Sequence, residues 1–371
     1  MEKFNLCIIK PNKDAFSETF IQAHIDRLKG NKKVLYGGDF PLYDNHGRFL
    51  IRSKLSLLVY LLQKKLFKKK EIGVRTRALV AYFKNNNIDV VLAEYGMVGA
   101  MIASACKMAG VPLVIHFHGA DAHHKPTIAK YLPLYRKAFD YASAIVAVSN
   151  DMVESLKKIG APASKIHLNP YGVDGAKFSL IDISNSNPYF LSVGRFVEKK
   201  SPLSVIRAFK EVLGHFPEAR LWMVGDGPLF DDARQLISEL NLTDSVTLTG
   251  VMTAAGIREL MEKVRCFVQH SVTAPDGDME GTPNTILEAA SSGLAIVSTA
   301  HAGIKEAVLD GITGFLVPEH DVADMAAKMI SIAGDVKLAA KMGLAAHEHI
   351  ARNYDINKRI ASLDEIINNS I

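Results

Sequence analysis

Two loops of this 371-residue chain combine cations, carboxylates and glycines in a way suited to a phosphorylated ligand. In Val193–Gly194–Arg195–Phe196–Val197–Glu198–Lys199–Lys200 an apolar run ends in glycine, then offers a planar fork of donors at Arg195 and a point charge at Lys200. That pairing suits a pyrophosphate, although two cations so spaced also serve as ordinary solvated surface groups. In Glu280–Gly281–Thr282–Pro283–Asn284–Thr285–Ile286–Leu287–Glu288, Thr282 is a favourable N-cap and Pro283 suits a first helical turn. A helix is therefore expected to start there, with its free N–H groups and positive dipole end turned towards an anion. Glu280 precedes that helix and Glu288 lies about two turns into it. Carboxylates beside a phosphate site need hydrogen-bond donors, and sugar hydroxyls supply them. Ile286, Leu287, Ala289 and Ala290 imply a largely buried helix, which argues against Glu288 as a plain surface glutamate. The turn Gly225–Asp226–Gly227–Pro228 repeats the strand-then-glycine arrangement, as any tight β–α connection would.

His116–Phe117–His118–Gly119–Ala120–Asp121 ends another apolar run and is followed by His123 and His124. No Cys, Asp or Glu stands at the spacing of a usual ligand set, so no metal site is expected. One imidazole is instead expected where it can donate or relay a proton near neutral pH. Asp276–Gly277–Asp278 could hold a metal for a nucleotide phosphate, but Arg195 and Lys200 already supply cations, and a mobile loop is the preferred reading.

The elements that must carry these loops follow from periodicity. Short β-branched runs at 4–9, 33–36, 88–93, 112–116 and 144–148 alternate with helical segments, and a second series runs through 189–193, 220–224, 246–248, 266–268 and 295–298. This is the pattern of two successive parallel βαβ sheets, joined at Asn169–Asp174 and a polar stretch, 182–188. In such sheets ligands lie beyond the carboxyl ends of the strands, where all the loops above fall. Cys7, Cys106 and Cys266 are far apart in apolar runs, which points to core packing and a reducing compartment. The start, Met1 to Pro11, reads as a first strand and not a secretion signal. The longest apolar stretch, Leu55 to Leu62, is far short of the ~20 residues of a membrane span.

Charge is unevenly spread: residues 1–175 carry 26 basic and 14 acidic side chains against 18 and 25 in the remainder. Halves of opposite sign suggest different partners. From Arg48 to Arg77 ten basic residues face one acidic residue, Glu71, interleaved with leucines. A basic helix with an apolar face reads as an element for an anionic membrane surface, as well as fitting an ordinary amphipathic helix. Leucines outnumber the aromatics among these charges and no run of stacking platforms accompanies them, so nucleic acid is not an expected partner.

The ordered set HGxD (His118 to Asp121), N-x-x-G-V-D (Asn169 to Asp174), VGR with a following KK (Val193 to Lys200), GDGP (Gly225 to Pro228) and E-x7-E (Glu280 to Glu288) resembles the family-4 retaining glycosyltransferases of GT-B fold. The tail Glu306 to Pro318 is also similar, and the resemblance spans about residues 88 to 330. Ser17–Glu18–Thr19–Phe20–Ile21 is similar to the subset that builds bacterial exopolysaccharides of the colanic-acid kind, which would place Ser17, Glu18 and Thr19 at the acceptor. The family has a glycine-rich first loop where this chain has Asn12 to Thr19, and a glycine where it has Ser201.

The resemblance implies an α/β architecture of two Rossmann-like doubly wound domains facing across a cleft. These would be an acceptor-binding domain, 1–172, with a crossover helix at 355–371, and a nucleotide-sugar-binding domain, 173–354. It implies that Arg195 and Lys200 neutralise the donor diphosphate, that Glu288 binds ribose hydroxyls and that Glu280 binds those of the transferred sugar. Gly194, Gly225 and the segment Gly281, Thr282, Pro283, Asn284 and Thr285 would line the donor, its main-chain amides assisting. His118 would lie beside the sugar near the reacting centre, and Asp121 would order that loop. The expected reaction is a metal-independent, front-face hexosyl transfer with retention (EC 2.4), in which the leaving phosphate accepts the acceptor's proton. The co-substrate would be a UDP- or GDP-sugar and no cofactor would be needed. The acceptor would be a glycan or polyprenyl-linked sugar in capsule or exopolysaccharide synthesis, the location cytoplasmic and peripheral on the inner membrane. A nucleotide-sugar 2-epimerase of the same architecture, or a non-catalytic nucleotide-sugar sensor, are the alternatives.

Overall fold

Val-Val-Leu-Ala at 90–93 and Ala-Ile-Val-Ala at 144–147 are apolar at every position, which suits strands covered on both faces. The computed structural model buries every one of these residues. It describes residues 4–13, 18–65 and 73–371, and divides them into two compact units: Met1–Asn169 with Arg359–Ile371, and Pro170–Lys358.

The first unit holds a seven-stranded sheet of β1 (Asn5–Lys10), β2 (Asn31–Tyr36), β3 (Tyr43–Asp44), β4 (Val90–Glu94), β5 (Leu113–His116), β6 (Ala144–Ala147) and β7 (Ile166–Leu168). The order is β3-β2-β1-β4-β5-β6-β7, parallel except where β3 runs antiparallel to β2. The chain leaves β1 for β2 and later returns to the other side of β1 with β4, so a crevice opens at their carboxyl ends. Glu94 and His116 are register partners at the ends of β4 and β5. Helix Gly96–Ala109 starts directly after Glu94 and stops at Gly110, whose left-handed φ of 72° suits glycine.

The second unit holds a six-stranded parallel sheet of β8 (Tyr189–Val193), β9 (Arg220–Val224), β10 (Val246–Gly250), β11 (Cys266–Gln269), β12 (Ala295–Thr299) and β13 (Gly314–Val317), in the order β10-β9-β8-β11-β12-β13. Here the direction of winding switches between β8 and β11, beyond whose carboxyl ends lie Gly194–Lys200 and His270–Asn284. Residue 225 must be glycine for packing: it sits at φ 135°, and a Cβ there would come within 2.0 Å of the Gly194 carbonyl oxygen.

The expected boundary at 172/173 lies just inside the second unit, because Val173 pairs with the far end of the chain: its N–H donates to the Tyr354 carbonyl at 2.8 Å, and Ile356 N–H donates back to it at 3.1 Å. Helix Ile356–Asn368 follows, and from Arg359 onward it belongs to the first unit, where Asp364 accepts the Lys29 N–H at 2.9 Å. Cys7, Cys106 and Cys266 are all buried and unpaired with one another. The short strands β3, β7 and β13 are additions to the strands expected from sequence.

Candidate active site

The loop after β8 turns through Gly194, beside which the Lys200 stem runs: a Cβ there would lie 3.5 Å from Lys200 Cδ, an ordinary contact. Lys200 ends a short 3-10 turn, and Ser201 then takes a left-handed φ of 38° before helix Pro202–His215 begins. Lys200 Nζ reaches Glu280 Oε2 at 3.1 Å, while Lys199 Nζ binds Asp278 Oδ1 at 3.1 Å and the Met279 carbonyl at 3.2 Å. The loops after β8 and β11 are thus clasped by two lysine–carboxylate pairs. Burial lowers the Lys200 ammonium from its ordinary value against the pull of Glu280. Burial would raise the Glu280 carboxyl, but Lys200 and Lys199 overcome it and bring the group down to about 2. Arg195 is exposed, and its guanidinium makes no ion pair among the described residues. It is a cation held ready beside a paired one.

Glu280 is also fixed through its backbone. Its N–H donates to His301 Nε2 at 3.1 Å, His301 Nδ1 donates to Glu319 Oε1 at 2.6 Å, and Glu319 Oε2 accepts the Thr273 N–H at 2.7 Å. Gly303 N–H donates to the Gly281 carbonyl at 3.0 Å. One expectation is corrected here. The helix begins at Asn284, not at Pro283: Pro283 keeps an extended ψ of 118° and is itself at the N-cap position, so Thr282 lies one residue outside it. Asp276–Gly277–Asp278 forms a hydrogen-bonded turn, in which Asp278 N–H donates to Asp276 Oδ1 at 3.0 Å and Lys199 ties the turn to the other strand's loop. Glu288 lies half-buried on the helix that follows, Asn284–Ser291, and burial pushes its carboxyl up to about 7 against the opposing charge of Arg258. Thr285 Oγ1 donates to Gln269 Oε1 at the end of β11 at 3.5 Å. Arg195, Lys200, Glu280, Gly281 to Thr285 and Glu288 therefore belong to the β8 and β11 carboxyl edge, with Gly225 one strand away packing under Gly194.

In the first unit Asp121 accepts backbone N–H groups from Gly96 at 2.7 Å, His118 at 3.0 Å and Gly119 at 2.8 Å. It caps the helix after β4 and pins the loop that presents His118. The His118 ring lies between Phe20, at 4.5 Å between centroids, and the edge of Tyr95, at 4.7 Å. Its Nε2 meets Glu94 Oε2 at 2.8 Å, and the other oxygen of Glu94 meets His24 Nδ1 at 2.8 Å. The fold therefore assembles what local spacing lacks, a compact buried set of His24, Glu94 and His116 whose possible ligand atoms lie within 4.8 Å. Glu18 is buried, with Oε1 accepting from Asn12 Nδ2 at 2.8 Å and from the Tyr95 hydroxyl at 3.3 Å. Its Oε2 has no hydrogen-bond partner among the described residues. Thr19 is exposed at the start of helix Thr19–Arg27, and Ser17 lies outside the described residues.

Comparison with known proteins decides the family. Residues 59–177 match the model of Glycosyltransferase Family 4 and residues 177–349 that of Glycosyl transferases group 1. A colanic acid biosynthesis glycosyltransferase of Escherichia coli, WcaL, is 30% identical over 283 residues, 74% of this chain and 70% of its own. This chain is a family-4 glycosyltransferase. An Escherichia coli α-1,3-galactosyltransferase, named for UDP-galactose and an N-acetylglucosaminyl-diphosphoundecaprenol acceptor, is 24% identical over 78% of this chain and 77% of its own. HepE of Anabaena, solved in complex with UDP, superposes with a TM-score of 0.78 over 98% of this chain and 99% of its own at 19% identity. The glycosyltransferase has the GT-B fold of two parallel-sheet α/β domains. Sequence reasoning missed Glu94, His24, His301 and Glu319 in it. Glu94 ends a strand run and was within reach of a reading of strand ends, whereas His301 and Glu319 carry no local signal.

Proposed function

We propose that this glycosyltransferase moves a hexosyl group from a nucleotide-diphosphate sugar to a polyprenyl-diphosphate-linked glycan in surface polysaccharide assembly, with retention of configuration and without a metal. The observation that carries this reading is the joining of the β8 and β11 loops by the Lys200–Glu280 pair, with Arg195, which makes no ion pair among the described residues, on the same loop as Lys200. A diphosphate can take the charge of both cations, and Glu280, partly released, turns its oxygens to sugar hydroxyls. Glu288 faces the ribose hydroxyls. The bond from the anomeric carbon to the diphosphate oxygen breaks as the bond to the acceptor oxygen forms, and the acceptor's proton passes to the departing phosphate. Neutralising that developing charge is the main catalytic task, and His118 acts at the transferred sugar. The donor nucleoside is uridine, a choice supported by the likeness to HepE, which was solved with UDP.

The acceptor side is supported by the helix Lys54–Lys65, which buries Tyr60 against Ile51 and leaves Leu55 and Leu58 72% and 55% exposed. Leu61 and Leu62 are also exposed, among an excess of lysine and arginine. Apolar and basic side chains on one exposed helix complement an anionic bilayer, where the lipid-linked acceptor resides. This supports a peripheral position on the cytoplasmic face. Residues 66–72 of the basic segment lie outside the described residues. No helix among the described residues is long and apolar enough to cross a membrane.

Incubation with UDP- and GDP-sugars, with and without polyprenyl-diphosphate-linked glycan, tests the proposal. Acceptor-dependent release of UDP, unaffected by EDTA, is expected. Conversion of the donor without an acceptor would instead indicate a 2-epimerase, and binding without turnover a sensor.

A further inference from the structure

Glu94 ends β4 with no exposed surface, yet burial of an ionised carboxylate without partners is very unfavourable. Its two oxygens meet two different imidazoles, His24 Nδ1 on Oε1 and His118 Nε2 on Oε2, each at 2.8 Å. Burial would raise its carboxyl, but His24 and His118 overcome this and hold it well below the usual carboxylate range. An ionised carboxylate only accepts, so both imidazoles donate to it. His118 thus carries a proton on Nε2. The third ring, His116, stands 3.6 Å from Glu94 Oε2, outside hydrogen-bond range, and stacks on His24 at 5.2 Å. Burial, and then the neighbouring His118, push it well below its ordinary value, so it stays neutral between the two donors.

We infer that Glu94 is a positioning residue for the transfer reaction, acting through His118 by fixing that ring's orientation and tautomer, with His24 holding the opposite carboxylate oxygen. The inference rests on the proposed role of His118. Three restraints act together on this side chain: Asp121 holds its backbone, Phe20 and Tyr95 pack on its ring, and Glu94 holds the proton on Nε2. Outer partners of this kind set the tautomer of functional histidines in metal sites, where losing one costs about 10- to 100-fold. The atoms of His24, Glu94 and His116 are also close enough to form a ligand set, but both carboxylate oxygens already accept imidazole N–H groups, and the hydrogen-bonded arrangement satisfies them.

The test is a double-mutant cycle on the full-length protein with Glu94→Gln, His118→Ala and the combination. Glu94→Gln puts an amide NH2 against one imidazole and so favours the wrong tautomer. We expect its kcat to fall about 10- to 100-fold with donor KM within twofold of wild type. His118→Ala should lose at least as much, and the double variant should be no slower than His118→Ala alone. If Glu94→Gln does not fold, Glu94→Asp, which keeps the charge at shorter reach, takes its place in the cycle. A slow His118→Ala with a wild-type rate in Glu94→Gln, or losses that multiply in the double variant, would overturn the inference and leave the reading of His118 intact. A wild-type rate in His118→Ala would overturn both. One equivalent of tightly bound zinc in the purified protein would also overturn it, since a metal on Glu94 displaces the imidazole donors.

Discussion

Replacing Lys200 by Met removes the charge and keeps most of the stem that packs beside Gly194. The effect can be worked out from Glu280. Its carboxyl stands at about 2 in the folded chain against an ordinary 4.5, a difference equivalent to about 3 kcal/mol in favour of the charged form. Burial works against that preference and Lys200 is the largest contribution in its favour. Without Lys200, Glu280 keeps the burial penalty with Lys199, 3.8 Å away, and then His301 to oppose it. Lys200→Met should therefore lose about 2–3 kcal/mol at pH 7.5, near the cost of breaking a buried ion pair from one side. The pH dependence follows from the direction of the shift. A depressed folded value gives stability that is present above about 4.5 and disappears as pH falls through about 2. The gap between wild type and variant should thus be widest near neutrality and narrower at pH 4. Urea unfolding followed by fluorescence reads the second unit directly, because Trp222 on β9 is the one tryptophan of the chain. Lys200→Met combined with Glu280→Gln should regain most of the loss. A Lys200→Met variant as stable as wild type at pH 7.5, or no recovery in the double variant, would refute the reasoning.

Other outcomes follow from the same geometry. Glu288 titrates at about 7, and an ionised carboxylate is the stronger acceptor, so UDP affinity should rise between pH 6 and 8; calorimetric titration of Glu288→Gln should lack that rise. Ser201 holds a left-handed φ of 38° that glycine adopts freely, so Ser201→Gly should stabilise the second unit by about 0.5–1 kcal/mol, read as a higher Tm. Flotation with anionic liposomes should carry wild-type protein, and a Leu55→Ser, Leu58→Ser, Leu62→Ser variant should stay at the bottom of the gradient; equal flotation of both would exclude this helix as the contact.

The parallel sheets were legible because strands buried on both faces are written as continuous apolar runs, as at 90–93 and 144–147. The missed strands lack that signature: β3 is two residues long and antiparallel, β7 is an edge strand with exposed His167 and Leu168, and β13 begins with glycine. Much of the second unit's site was legible for a related reason. Arg195 and Lys200 share one loop, Glu280 and Glu288 share another, and each loop follows a strand. The clasp between them was not, since Lys199 and Asp278 are 79 positions apart. The Glu94 network draws residues 24, 94 and 118 from three separate elements, and only the pairing of β1, β4 and β5 brings them together.

The central claim is that the loop after β8 receives the diphosphate of a sugar donor, and Arg195→Ala tests it most directly. Arg195 is exposed and makes no ion pair among the described residues, so its removal should leave the Tm unchanged. Steady-state transfer from UDP-sugar to polyprenyl-diphosphate-linked glycan should fall by about 10²-fold or more, as on loss of one donor to a developing anion. Turnover equal to wild type in a variant of unchanged Tm would contradict the claim.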